Sequence, residues 1–172
     1  EEVMNLNRLR KKNSGFTLIE LLIVIAIIGI LAAIAIPNLL NAVQRGKQKK
    51  TMADMRTLAT AVEAYAVDNN DYPSADCPAG AFTAEGSGLN SSSFTSLTPT
   101  YISQLPGKEG HDGWNNPYYY NVSNPATQYN IRSRGRDNTV QSSLTCGTTT
   151  NFNDDIVYSN GSFLQWPEGT QN

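Results

Sequence analysis

The chain has 172 residues, 40% hydrophobic, 9% aromatic and 16% charged, with 13 Lys plus Arg against 15 Asp plus Glu, two Cys and one His. A net charge of −2 excludes a broadly basic nucleic-acid surface, and eight Tyr exclude wholesale disorder. The averages conceal an asymmetry: residues 16–36, FTLIELLIVIAIIGILAAIAI, hold 18 hydrophobic residues in 21, while Thr51 to Asn172 carries five basic and twelve acidic residues. An apolar segment flanked by Arg8, Arg10, Lys11 and Lys12 on one side and Arg45, Lys47, Lys49 and Lys50 on the other is joined to an acidic, polar body.

As a helix, the 21-residue run is roughly 31 Å long, the thickness of a bilayer's hydrocarbon core. A secretory signal has a shorter apolar region, about 7–15 residues, and ends in a small-residue cleavage site. The run therefore reads as a membrane span. Its basic flanks balance, so charge alone gives no orientation. Gly29 and Pro37 are expected to weaken the helix between them, as a simple kink or as a stretch able to unwind. Glu20 is the anomaly, because a carboxylate in an apolar span is costly and marks function by default. A plain alternative is that it sits in the first helical turn, where the dipole favours negative charge.

After Pro37, Met52, Met55, Leu58, Ala59, Val62, Tyr65 and Ala66 recur at three- and four-residue spacing, one face of a helix that needs a sheet to pack on. Asn69, Asn70 and Pro73 end it. Residues 74–117 form a Ser/Gly/Pro-rich connection with one amphipathic piece, from Phe94 to Pro106. Strands are expected at Tyr118–Val122 and Gln128–Ser133, joined by Ser-Asn-Pro-Ala-Thr, and at Ile156–Ser159 and Ser162–Gln165 around Asn160-Gly161, whose residue types suit the positive φ of a type I′ turn. Four short strands and one long helix make an α+β headpiece.

Lys12-Asn13-Ser14-Gly15-Phe16-Thr17-Leu18-Ile19-Glu20 resembles the class III leader of type IV prepilins and type II secretion pseudopilins: basic leader, Gly at the cleavage edge, Phe as new N-terminus, and Glu at the fifth mature position. The resemblance implies a type IV pilin fold: a long N-terminal helix, half transmembrane and half amphipathic, packed on a small antiparallel sheet. It divides the chain into a leader (1–15, with Met4 read as the start), a transmembrane and juxtamembrane helix (16–50) and a periplasmic or extracellular headpiece (51–172). A prepilin peptidase would cut between Gly15 and Phe16 and methylate the new amine. Glu20 would pair with a Phe16 amine, its own or a neighbour's, and set the stagger of a helical homo-oligomer. The further partners implied are an inner-membrane assembly platform and minor pilins or pseudopilins; no nucleic-acid partner is evident.

The body is similar to the major pseudopilin of type II secretion in Asp112-Gly113-Trp114-Asn115-Asn116-Pro117-Tyr118, in Tyr129-Asn130-Ile131-Arg132-Ser133-Arg134-Gly135-Arg136-Asp137 and in Asp154-Asp155-Ile156. In that family the loop between the two aspartate motifs binds calcium, which takes six to eight oxygen ligands. Carried over, Asp137 and Asp155 would be ligands of one structural Ca2+, with Asp154 the alternative to Asp155. Arg136, Asn138 and a long Thr/Asn-rich loop over 138–153 depart from the pattern, so a plain solvated loop is the competing reading. With the body outside the inner membrane, Cys77 and Cys146 would lie where disulfides persist. A bridge would close a loop worth up to roughly 4 kcal/mol of chain entropy, the alternative being two thiols.

Catalysis has no support: His111 is a single His in a Gly/Asp turn, without a partner at metal-ligand spacing, and neither a nucleophile elbow nor a phosphate loop accompanies it. Nor does any motif call for an organic cofactor. The expected function is a structural subunit of a type IV-type filament, foremost the major pseudopilin of type II secretion. A surface type IV pilin for adhesion, motility or DNA uptake is the alternative within the class, and a single-pass membrane-anchored binding protein the alternative outside it.

Overall fold

The computed structural model describes residues 15–73, 87–88, 96–107, 110–123 and 126–170, of which 87–88 by backbone only. One helix, α1 (Leu18–Asn69), precedes six strands: β1 (Ser87–Gly88), β2 (Tyr119–Val122), β3 (Tyr129–Ser133), β4 (Gly147–Thr149), β5 (Ile156–Ser159) and β6 (Ser162–Pro167). Contacts divide the chain into two compact units, Glu1–Leu40 and Asn41–Asn172.

In the first unit the helix contains a stretch long and apolar enough to cross a membrane. Its side chains are bare: Phe16, Leu18, Ile30 and Ile34 are each 65–78% exposed. Glycine and proline were expected to weaken this region; α1 runs through both Gly29 and Pro37. Proline removes one backbone donor and crowds the carbonyl four residues back, and the bonds on either side hold the helix across that gap.

In the second unit the amphipathic reading holds. Met52, Met55, Leu58, Ala59 and Val62 are buried, and they share a core with Tyr118, Tyr120, Tyr129, Ile131, Ile156, Phe163, Leu97 and Leu105. Each of the Met, Leu, Ile, Val and Phe side chains contributes about 1.5–3 kcal/mol when taken fully out of water. Helix α1 stops at Asn69, and Asn70 follows at φ 55°, the left-handed cap that asparagine tolerates. The amphipathic piece before the sheet shortens to a turn in which the Tyr101 and Ile102 amides donate to the Leu97 carbonyl. Phe94 and Thr95 lie outside the described residues.

The sheet runs β1-β2-β3-β5-β6-β4. Tyr120 faces Ile131, Ile131 faces Tyr158, and Val157 faces Gln165 across antiparallel pairs. The β5–β6 hairpin closes as expected, with Asn160 at φ 45° and Gly161 at φ 89°, the left-handed pair of a type I′ turn. The Asn160 side chain also accepts the Tyr129 amide (3.0 Å) and so ties the turn to β3. The sheet is mixed rather than antiparallel, because β4 runs parallel to β6 in the register Thr148–Trp166. A three-residue strand at the sheet edge uses backbone donors that the main ladder leaves open, and it reaches the parallel orientation because the 134–146 loop returns the chain to that edge.

Candidate functional site

Three sets of residues carry chemistry: the start of α1, the turn at 110–117, and the loop between β3 and β5.

At the helix start, Gly15, Phe16 and Thr17 precede the first helical residue, Leu18, and all are exposed. Among the described residues, nothing stands within 4 Å of where a Gly15 side chain would begin. The Thr17 amide and hydroxyl both donate to Glu20 Oε2 (2.9 and 2.7 Å), and the Glu20 amide donates back to Thr17 Oγ1 (3.3 Å). This is a reciprocal capping box that satisfies two donors a helix N-terminus otherwise leaves open. The Thr-x-x-Glu spacing that encodes it stands in the sequence and was not singled out. Both bonds from Thr17 fall on Oε2. Residues 1–14 of the leader lie outside the described residues.

In the 110–117 turn, the Asp112 carboxylate is 3% exposed and accepts three donors. Oδ1 takes the amides of Trp114 and Asn116 (2.9 Å each), and Oδ2 takes the Ser133 hydroxyl (2.7 Å) from the end of β3. The turn is fixed to the helix as well. The Gly113 amide donates to Thr51 Oγ1 (3.0 Å), whose hydroxyl donates to the Lys47 carbonyl (2.9 Å), and the Trp114 indole donates to Gln44 (2.6 Å). Gly113 is required by space: a Cβ there would collide with the Lys47 carbonyl. The Asn116 amide group donates to the Gly135 carbonyl (2.8 Å), completing a latch between helix, turn and sheet.

Burial raises the pKa of Asp112 and of Asp54, above the usual 3.8, against the hydrogen bonds and the Lys50 charge that lower them. The folded protein then takes up these protons at a higher pH than the unfolded chain does. Their contribution to stability is full below the unfolded pKa and fades as pH rises through the raised folded values. We expect Asp54→Asn to reduce the stability difference between pH 4 and pH 7, measured as melting temperature of the full chain in detergent.

The carboxylates singled out for calcium are not gathered about one point. Asp137 is exposed and accepts the Thr139 amide (3.1 Å) within its own turn, and Asp154 accepts the Thr149 hydroxyl. Asp155 is fully buried, is paired with Arg132 and also accepts the Gln141 amide (3.2 Å). Among the described residues no three His, Cys, Asp or Glu side chains are placed to hold a metal. Cys146 is exposed at φ 45°, and Cys77 lies outside the described residues. His111 makes an isolated bridge with Pro117 at the base of the 110–117 turn.

Against known proteins, residues 38–151 match the family model described as type II secretion system protein G, and residues 10–36 match the prokaryotic N-terminal methylation motif. The chain belongs to the type II secretion system protein G family. It is 32% identical to the type II secretion system core protein G of Pseudomonas aeruginosa over 128 residues, covering 74% of this chain and 87% of that one. The corresponding Escherichia coli K12 protein is 31% identical over 141 residues, covering 76% and 86%. The type IV major pilin protein PilA of Myxococcus xanthus is 46% identical, over 69 residues that cover 40% of this chain and 31% of that pilin. The chain is thus a structural subunit of the major pseudopilin type, from a family of filament components rather than enzymes. Its methylation motif implies prepilin peptidase processing and filament assembly in a secretion system.

Proposed function

We propose that this pseudopilin is stored in the inner membrane through residues 16–36 with its headpiece in the periplasm, is cut between Gly15 and Phe16, and joins the filament when Glu20 pairs with the amine of a Phe16. The observation that carries this reading is the build of the helix start. A side-chain-free residue lies at the edge of an exposed, apolar helical segment, and the one acid within residues 16–36 is held by Thr17 at the end where the new amine would form. The capping bonds orient Glu20 before any partner arrives and leave Oε1 to meet the amine. Cleavage converts an uncharged Phe16 amide into a cation and so creates the charge that Glu20 lacks in the precursor. The assembly platform and minor pseudopilins would take the subunit from the bilayer.

Expression with a prepilin peptidase, followed by intact-mass analysis, tests the reading: the product should begin at Phe16 and carry one added methyl group. Gly15→Leu should leave the leader in place at an unchanged level of membrane insertion, and a product with an intact leader from the parent chain overturns the proposal. A surface pilus is the second reading, favoured by the Myxococcus pilin match, though that likeness is confined to 69 residues. Dependence of a secreted substrate on this chain, with no pili on the cell, supports the secretion role.

A further inference from the structure

The β3–β5 loop departs from the family pattern at Arg136 and Asn138, at its entry, and Arg132 stands just ahead of it inside β3. The geometry shows what takes the place of a metal. Arg132 is 7% exposed. Its guanidinium donates to the Asp155 carboxylate through Nε and to the Gln141 carbonyl through Nη2 (2.8 Å). Gln141 lies in the middle of the loop and closes the circuit: its amide donates to Asp155 Oδ2 (3.2 Å), and its side-chain oxygen accepts the Asp155 amide (3.2 Å) and the Gln165 amide group (2.7 Å). Gln165, fully buried on β6, also donates to the Asp155 carbonyl (2.8 Å) and accepts the Thr145 amide (2.9 Å). One positive charge thus gathers a carboxylate and a loop carbonyl, the two oxygen types a calcium ion would draw in.

A calcium ion does not fit these residues. The Asp155 and Gln141 oxygens already receive Arg132 donors, Asp154 and Asp137 are engaged elsewhere, and a divalent ion at the buried, unpartnered Asp155 Oδ1 would face the charge of Arg132. Arg134 stands 3.5 Å from the Tyr119 ring and adds a second positive charge nearby. We propose that the Arg132 guanidinium is the resident cation of this loop, a covalently attached substitute for a metal, so that the headpiece closes independently of calcium. Arginine keeps its charge at every physiological pH, presents a fixed fork of donors, and cannot be chelated away. Loop closure therefore does not follow the free calcium concentration, as it must wherever a dissociable ion supplies the charge.

The full chain in detergent micelles should melt at the same temperature, within about 1 °C, in excess CaCl2 and in EGTA; a site filled a hundredfold above its Kd would raise it by about 5–10 °C. Asp155→Asn keeps the shape of the side chain and strands Arg132, and Arg132→Gln strands Asp155. Each should lower the melting temperature by about 10 °C or more and speed protease cleavage within 134–155, with no recovery on adding calcium. Two results overturn the proposal: a calcium-dependent rise of several degrees in the parent chain, or an Arg132→Gln protein with parental melting and protease resistance. Should either variant fail to fold, the parent's comparison between CaCl2 and EGTA decides alone.

Discussion

Glu20→Gln is expected to enter the membrane as well as the parent chain and to yield no filaments. The substitution isolates charge from capping, because glutamine at this position still accepts the Thr17 donors that hold the helix start. Insertion should even become easier, since a carboxylate at the centre of a membrane helix costs about 2.5–3.5 kcal/mol on insertion scales and less near the interface. Assembly is the step that suffers. On the proposed route the exposed Ile and Leu side chains of residues 18–36 pass from lipid to other helices, and lipid is about as apolar as those helices. Apolar burial therefore changes little between the two states and gives the subunit small reason to leave the bilayer. The term that distinguishes them is the carboxylate, costly in hydrocarbon and compensated once an amine stands beside it. Immunoblots of membrane and sheared fractions with electron microscopy give the readout; parental filament yield from Glu20→Gln would remove the assembly role. Thr17→Val is the companion, keeping the charge and deleting the cap's hydroxyl at a cost of about 1 kcal/mol, so it should thin filament yield without abolishing it.

The long helix, its buried face and the β5–β6 hairpin were legible because each is encoded locally. Met52, Met55, Leu58, Ala59 and Val62 announce a face by spacing, Asn70 supplies a left-handed cap, and Asn160-Gly161 admits the turn that occurs. Strand β4 was not legible. Its three residues, Gly147–Thr149, have no apolar alternation, and their partner is chosen by which edge of the sheet stands open. The Arg132–Asp155–Gln141–Gln165 network was hidden for a related reason: glutamine has no characteristic period, and the four residues meet only after β3, β5 and β6 have paired. The resemblance points to Asp155 as a ligand, and in the structure its carboxylate is paired with Arg132, at a position the matched motif leaves unspecified. At the helix start the signal was local instead. Thr17 and Glu20 stand at capping-box spacing, and the membrane cost of Glu20 is the more conspicuous of its two signals.

Asp112→Ala should be the most damaging single change in the 110–117 turn. It leaves the amides of Trp114 and Asn116 and the hydroxyl of Ser133 without their acceptor in a site that water scarcely reaches. An unsatisfied buried donor costs about 1–3 kcal/mol, and with partial relaxation the three together should cost about 3–4 kcal/mol, a fall of roughly 6–16 °C in melting temperature. The damage should spread along the latch. Once the turn relaxes, the Gly113 amide moves off Thr51 and the Trp114 indole off Gln44, so α1 loses two of its polar ties to the sheet while its Met52 and Met55 contacts remain. A red shift in tryptophan emission should accompany the lower melting temperature. Asp112→Asn separates shape from charge: its side-chain oxygen still takes the two amides, and its NH2 group donates to the Ser133 oxygen once that hydroxyl turns. The asparagine variant should therefore keep most of the stability and the parental emission, and if it falls as far as alanine, the latch depends on the charge of Asp112 rather than on its three hydrogen bonds.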